Sequence, residues 1–506
     1  ICSRCASTIR RNMLLSSQTT DFRGPADSQP GQPASPFTRN WTIEYQALPF
    51  TAGAARVLAR FSPLDRARGQ ELIRRVLLIE SAQAEELASQ LLADFGCRHR
   101  ELESLLIYHF HQVLHLMPKA RAAGLSQAQK LLIGAYFTQE TAIEAGGLCC
   151  PGLVAAPTAD GLIFYFQALG QDLGSSVVFR EARFCPDLQL RPETSGSRLA
   201  LPIVEEFPDR PRSEIEPMIR SLLSGGLSKQ LLKHLPDPFV YSDLFQLVDQ
   251  YRLNCPQPAE RKALKQLLEA VDDYYDLHFV AASSLSERVL PPQLDHESRG
   301  LEDARFVRFS ESPGRSTYYA CYTANGQQNQ PRLLQTDDFL QFRSYSLRVP
   351  SASQLALFPR RVKGRYAMLA QVDRFHHCLL FSDRLTQWQQ PILLQEPSEP
   401  WEIAALGNCG SPIETPQGWL VISQGSGPMG SVGLSACLLD LQDPTRLKAR
   451  LREPLPLGAW SSGKVSSAGS LLYQDRVLIP YALPHQPPAM MAIPLSELLA
   501  RMQQEE

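Results

Sequence analysis

Two carboxylates and a guanidinium fall within four residues at Glu302-Asp303-Ala304-Arg305. Groups of this kind serve general acid–base chemistry, a carboxylic acid giving a proton and a carboxylate taking one. If the segment is a strand, successive side chains point to opposite faces. Glu302 and Asp303 then cannot be the two carboxylates of one site, and Asp303 shares a face with Arg305. Taken alone, that i,i+2 pair reads as a surface ion pair. Cations gather at Arg360 and Arg361, and Arg361, Lys363 and Arg365 alternate so as to share one strand face. Such a face can hold an anion through charge-assisted hydrogen bonds, or simply be solvated.

Other reactive side chains carry less. His111 and His115 have the i,i+4 spacing of a zinc pair, but no Glu follows His111 and a third ligand is missing, so helix packing or surface exposure is the simpler account. His376 and His377 are neighbours on a strand and face opposite ways. Cys2 and Cys5 form a lone CxxC with no second half. Cys149-Cys150 allows a strained vicinal disulfide, although two small residues entering a strand explain it more simply. Gly425-x-Gly427 has no helix after it, so it is not a phosphate loop. No metal site is assigned.

The elements that must position these residues follow from periodicity. Residues 1–44, rich in Ser, Gln, Pro and Gly, read as a disordered tail. Met13-Leu14-Leu15 is too short for a signal-peptide core. Over 45–145 apolar residues recur at helical spacing (Leu72, Ile73, Val76, Leu77; then Leu102, Leu105, Leu106, Phe110), with Ser81 and Ser126 as expected N-caps. Strands begin over 146–206, with Leu162–Phe166 and Ser175–Phe179 the clearest. A helical insertion is expected over 207–280, strands over 281–495 and a short helix over 496–506. Within the strand region Thr336-Asp337-Asp338-Phe339-Leu340-Gln341-Phe342 recurs as Ser382-Asp383-Arg384-Leu385-Thr386-Gln387-Trp388. Strand starts near Tyr318, Gly364, Gly418 and Asp475 are about 46 to 57 residues apart, close to one four-stranded propeller blade. With the Leu162 strands this gives five blades: a mainly β chain, a five-bladed β-propeller with an N-terminal helical region and a helical insertion.

A net charge of −2 over 506 residues, with 44% hydrophobic content, predicts neither a nucleic-acid nor a membrane partner. Eleven cysteines without repeating spacing fit reduced thiols in the cytoplasm better than a disulfide scaffold.

Several segments then resemble, in order, those of glycoside hydrolase family 130: Ser286-Glu287-Arg288-Val289, Gly300-Leu301-Glu302-Asp303-Ala304-Arg305-Phe306, Leu357-Phe358-Pro359-Arg360-Arg361, Gly364–Leu369, Phe381-Ser382-Asp383, Gly407–Thr415 and Leu451–Leu455. The resemblance covers roughly residues 45 to 500. It implies a five-bladed propeller acting on β-mannosides or related glycosides, in most family members with phosphate as the attacking group. Asp303 matches the proton donor of the Glu-Asp-x-Arg motif, which acts through a sugar hydroxyl. Arg288, Arg305, Tyr322, Asn408 and Tyr481 are the expected substrate-binding residues, and Arg360 and Arg361 the residues for phosphate. The partner is an oligosaccharide or glycoside; no cofactor is implied, with inorganic phosphate a co-substrate if the enzyme is a phosphorylase.

Departures from the family pattern fall at Cys149–Gly152, Ser351–Gln354, Gln371, Gln424–Gly430, Gly463–Ser467 and Tyr481–His485, and several remove groups suited to holding phosphate. They favour hydrolysis over phosphorolysis, with Glu414, Glu402 or Glu287 as the base that activates water. The alternative expectation is an inactive sugar-binding or scaffolding propeller.

Overall fold

The structure is a computed structural model that describes residues 41–504, apart from 54–55, 119–122, 159, 172–173, 186–188, 194–197, 207–210, 240, 256, 271–273, 295–296, 313, 327–328 and 458–463. Cys2, Cys5 and all of the expected tail up to residue 40 lie outside the described residues. Glu44, the tail's last residue, instead begins a strand, Glu44–Ala47.

The chain is mainly β. Four antiparallel strands form a unit over Gly147–Ala155, Gly161–Leu169, Ser175–Phe184 and Leu190–Pro192. A second unit runs over Gly300–Ser312, Arg315–Asn325, Gln330–Thr336 and Gln341–Ser346. The third spans Ser353–Leu357 to Ile392–Gln395, and the fourth Ala405–Asn408 to Leu447–Arg450. The last consists of Leu471–Tyr473, Arg476–Tyr481 and Ala489–Pro494, completed by Glu44–Ala47 from the other end of the chain. By hydrogen bonding alone the sheets do not separate into five blades. A parallel bridge between Gly300 and Ser175, with further pairing to Tyr274–His278 and Ile203–Glu206, joins the first two units into one eleven-stranded sheet. Tyr274 and Tyr275, expected in the helical insertion, belong to that sheet.

Alternation along the strands explains the packing. Val307 and Phe309 meet Leu355, Met368 and Leu380 of the third unit, whereas Phe306 meets Tyr165 and Phe179 of the first. Trp419 and Val421 pack on Phe358 and Leu369, and Leu420 and Ile422 on Val477 and Ile479. Leu478 and Met490 of the last unit reach Leu153, Phe164 and Phe166 of the first. Both faces of these strands are therefore buried, which accounts for their near-continuous apolar character.

The repeated motif is a turn between the third and fourth strands of successive units. Thr336 Oγ1 accepts from Phe339 N at 2.8 Å, and Ser382 Oγ from Arg384 N at 3.0 Å. A hydroxyl at the strand end thus replaces a lost ladder partner.

Helices Arg66–Val76, Ser81–Phe95, Leu102–Gln112 and Gln127–Tyr136 enclose a core of Ile73, Leu106, Phe110, Leu131 and Phe137. Ser126 closes a capping box with Gln129, but Ser81 lies inside its helix and Glu80 takes the cap position. Four more helices, from Arg212–Leu222 to Pro258–Ala270, share a separate core of Ile219, Leu231, Val248 and Leu264. Among the described residues no helix is long and apolar enough to cross a membrane.

Candidate active site

Asp303 does not sit in a regular strand. The register of Gly300–Ser312 against Arg315–Asn325 shifts between Glu302 and Arg305, and Asp303 takes a φ of +54°. Asp tolerates the left-handed region better than most residues. A bulge re-aims the side chains around it, so the strict alternation expected of Glu302 and Asp303 fails: both line one cavity of about 200 Å³, with Tyr322, Thr323, Asn329 and Ser353. Similar bulges occur early in the first strands of two other units. Cys150 has φ +47° at a shift between Cys149 and Gly152, and Gln354 φ +51° at a shift between Ser353 and Ala356.

Arg305, 2% exposed, fixes the site from behind. Its Nε and Nη2 donate to Asp303 Oδ1 at 2.9 and 2.8 Å, and its Nη1 donates to Asn408 O at 2.6 Å and to Asn408 Oδ1. Burial disfavours the guanidinium charge, yet the adjacent Asp303 carboxylate pushes the Arg305 pKa above its ordinary value. Asn408 Nδ2 in turn donates to Gln354 O at 2.7 Å, tying the third and fourth units to the second. The carboxylate is thus held through one oxygen, while the Asp303 side chain keeps 30% of its surface exposed. This is a carboxyl group in fixed orientation at a cavity, suited to exchanging a proton with a bound hydroxyl.

The structure brings Asp303, Arg305, Asn408 and Tyr322 together. Tyr322 is buried, and its OH donates to Glu297 Oε1 at 2.7 Å. The other sequence-nominated residues lie elsewhere, each for a physical reason. Glu402 is buried against Arg450 at 2.7 Å and accepts from Ser398 N and Glu399 N, an ion pair rather than a base facing the cavity. Glu287 pairs with Arg100 at 2.8 Å; burial works against its charge, but Ser284 and Arg100 hold its pKa below the usual carboxylate range. Glu414 is forked by Arg360 at 2.8 and 2.6 Å, and both line a separate cavity of about 500 Å³ with Val154, Val307, Pro359 and Leu471. That cavity touches the second unit's first strand at Phe306–Ser310, so its centre lies roughly 15 Å along the strand from Asp303 at about 3.3 Å per residue.

Of the expected phosphate residues, Arg360 pairs with Glu414 and Arg361 lies over the Tyr366 ring at 3.8 Å, and neither lines the Asp303 cavity. Arg288 donates to Ser283 O and Phe339 O and serves packing, and Tyr481 is buried in the apolar core of the last two units. Glu302, discounted from the sequence, is the added residue. Its Oε1 accepts from Asn325 Nδ2 at 2.9 Å. No pattern in the sequence announces the bulge that turns it inward.

No family model matches the chain. Among curated proteins it is 31% identical over 212 residues to a 1,2-β-oligomannan phosphorylase of Thermoanaerobacter, covering 39% of this chain and 69% of that one. It is 27% identical over 172 residues to the β-1,2-mannobiose phosphorylase of the same strain, covering 33% of this chain and 55% of the relative. Among solved structures, the β-1,2-mannobiose phosphorylase of Listeria innocua in complex with β-1,2-mannobiose aligns with 71% of this chain and 94% of its own, at 16% identity and a TM-score of 0.41. The two curated relatives, and two further curated matches, are all phosphorylases. That finding overturns the expectation that hydrolysis is favoured over phosphorolysis, and sets aside the inactive scaffold. With 31% identity extending over more than two thirds of the oligomannan phosphorylase, the chain belongs to glycoside hydrolase family 130, the carbohydrate-active enzymes that include the β-mannoside phosphorylases.

Proposed function

We propose that the protein is a β-mannoside phosphorylase acting on β-1,2-linked oligomannosides in the cytoplasm. The observation that carries the reading is the Asp303 carboxyl, held in fixed orientation by Arg305 at the cavity, in a chain whose curated relatives are phosphorylases. Three of those relatives are named for 1,2-linked mannosides, which favours that linkage over 1,4. The nine described cysteines are all free, which fits a reducing compartment.

In this reading a phosphate oxygen attacks the anomeric carbon and the bond from that carbon to the bridging oxygen breaks. The bridging oxygen takes a proton from Asp303, relayed through a hydroxyl of the sugar. The products are mannose 1-phosphate and the shortened saccharide. Direct attack by phosphate needs no second carboxylate to activate water, so the engagement of Glu402, Glu287 and Glu414 elsewhere is no obstacle. Arg305 holds the Asp303 carboxyl in place, and Asn408 holds Arg305.

The propeller belongs to the same reading. We infer that the five strand units close into a ring, supported by the apolar cluster between every successive pair and between the last unit and the first. The first strands of the units then surround a central channel, with Asp303 toward one mouth.

The test is incubation of the purified chain with β-1,2-mannobiose and inorganic phosphate. Mannose 1-phosphate is expected, and Asp303→Asn is expected to lower its formation by about a hundredfold or more, the scale of losing a general acid. Free mannose appearing at the same rate without phosphate would falsify the reading.

A further inference from the structure

Behind the Asp303 cavity lies a buried polar network that the chemistry above does not use. Glu297 is 0% exposed and stands just before Gly300, where the strand carrying Asp303 begins. Its Oε1 accepts from Tyr322 OH and from Tyr275 OH, each at 2.7 Å, and its Oε2 accepts from Gln293 N at 2.9 Å. Because the Tyr322 proton goes to Glu297, the Tyr322 oxygen accepts from Ser344 Oγ at 2.9 Å, and Ser344 Oγ accepts from Arg332 Nε at 2.9 Å. The Arg332 guanidinium also lies over the Tyr275 ring at 5.1 Å. These hydrogen bonds run in one direction, from Arg332 through Ser344 and Tyr322 to the Glu297 carboxylate.

Packing alone does not require a carboxylate here, since taking the charge out of water costs free energy that its hydrogen bonds must first offset. What a satisfied network supplies is a fixed arrangement, and the strand register shows what is fixed. Glu302 pairs with Thr323 and Arg305 with Cys321, so Tyr322 alone stands opposite Asp303 and Ala304 at the bulge. The Tyr322 side chain returns to Glu297, whose own backbone runs through Gly300 into the bulged strand. Bulge, tyrosine and carboxylate thus close a loop on one another. Tyr322 lines the Asp303 cavity, but its hydroxyl is committed to Glu297.

We propose that Glu297 is a positioning residue for the reaction at Asp303, acting through Tyr322. It fixes the strand opposite the bulge, and with it the direction in which the Asp303 carboxyl meets the sugar hydroxyl. The role rests on the phosphorylase reading, because the proton transfer it serves is the one made there. A carboxylate is needed because both of its oxygens accept. In Glu297→Gln the one amide oxygen serves either the two phenols or Gln293 N, and the amide NH2 meets donors at the other position.

The full chain is assayed with β-1,2-mannobiose and inorganic phosphate as wild type, Tyr322→Phe and Glu297→Gln. Tyr345→Phe is the control in the same unit, its hydroxyl reaching Gln335 Oε1 at 3.2 Å. Tyr322→Phe keeps the ring in the cavity and loses only the hydroxyl, so it carries the test if Glu297→Gln does not fold. Both variants are expected to lower kcat about tenfold or more, while KM for the saccharide and for phosphate stays within about twofold. Tyr345→Phe should change neither constant. Amide hydrogen exchange gives a readout without turnover: in both variants residues 300–305 should exchange about tenfold faster, with Gly418–Ser426 of the fourth unit at the wild-type rate. A raised KM with kcat kept makes Tyr322 a direct saccharide contact and overturns the positioning role. Unaltered exchange at residues 300–305 overturns it as well, as does lowered thermal stability with both kinetic constants at wild-type values. If the wild type forms no mannose 1-phosphate, the phosphorylase reading fails, and exchange at residues 300–305 still decides whether Glu297 holds the bulge.

Discussion

Arg305 carries the heaviest load of any single residue around the candidate site. It is almost fully buried, and its fork spans Asp303 and Asn408. Arg305→Met is expected to cost about 3 kcal/mol in urea unfolding, less than for a fully buried pair because Asp303 remains partly solvated. It should also free the carboxyl to rotate and lower kcat more than it changes KM for the saccharide. An unchanged unfolding midpoint would show that the fork is dispensable. Nearby, His377 is wholly buried, its Nε2 has no partner among the described residues, and burial lowers its pKa to about 4. Folding holds the ring neutral, so between about pH 6.5 and pH 4 the unfolded chain binds the extra proton. Stability is complete above that window and falls as pH drops through it, by about 2 kcal/mol at pH 5. His377→Gln should flatten this acid slope; parallel curves for the two proteins would remove His377 as its source. At this scale type and spacing showed that Asp303 and Arg305 could pair, as they do, but read them as a surface pair; only the family resemblance pointed to a site. Neither could identify the true partners of Glu402, Glu287 and Arg360, because each is paired with a residue distant in the chain or with a carboxylate of the same family segment set.

The bulges decide what those residues can do. Gly300 opens the strand at φ +132°, and a Cβ there would lie 2.2 Å from Ser175 Oγ and 2.5 Å from Ser175 N. The bridge from Gly300 to Ser175 therefore requires glycine, both for its backbone angle and for the close approach. Gly300→Ala is expected to destabilise the chain by about 2 kcal/mol or more and to displace Asp303 three residues on. Crystals or hydrogen exchange showing an undisturbed Gly300–Ser175 contact in the variant would contradict this. Elements were legible where hydroxyl-capped turns repeat, as at Thr336 and Ser382, since a turn's chemistry is local. The bulges at Cys150, Asp303 and Gln354 were not, because each is a compromise between a strand and its neighbours across the sheet. For the same reason Tyr274 and Tyr275 read as helix: five residues cannot declare a strand whose partners are Gln341–Ser346 and Ile203–Glu206.

Over the whole molecule, the strand from Glu44 to Ala47 is the piece that completes the last unit from the other end of the chain. It pairs with Ala489–Pro494 in the register Glu44 with Ala492 through Ala47 with Ala489. Glu497 accepts from Thr42 N, Arg476 reaches Glu44 at 2.7 Å, and Arg501 lies over the Trp41 ring at 4.3 Å. Four hydrogen-bonded residues and an apolar contact with the last two units thus join the start of the described chain to its end. If the units form a ring, this strand closes it, and its loss must be felt in every interface rather than in the last unit alone. Deleting residues 1–47 is expected to lower the thermal midpoint by roughly 5 °C or more. It should also leave Ala489–Pro494 as an open edge prone to association. Hydrogen exchange discriminates the two architectures. A closed ring predicts faster exchange in the truncated chain at strands of the first unit, such as Gly161–Leu169, because Phe164 and Phe166 pack on Leu478 and Met490. An open arrangement confines the change to Arg476–Tyr481 and Ala489–Pro494, and that outcome would remove the ring from the reading while leaving Asp303 and its cavity intact.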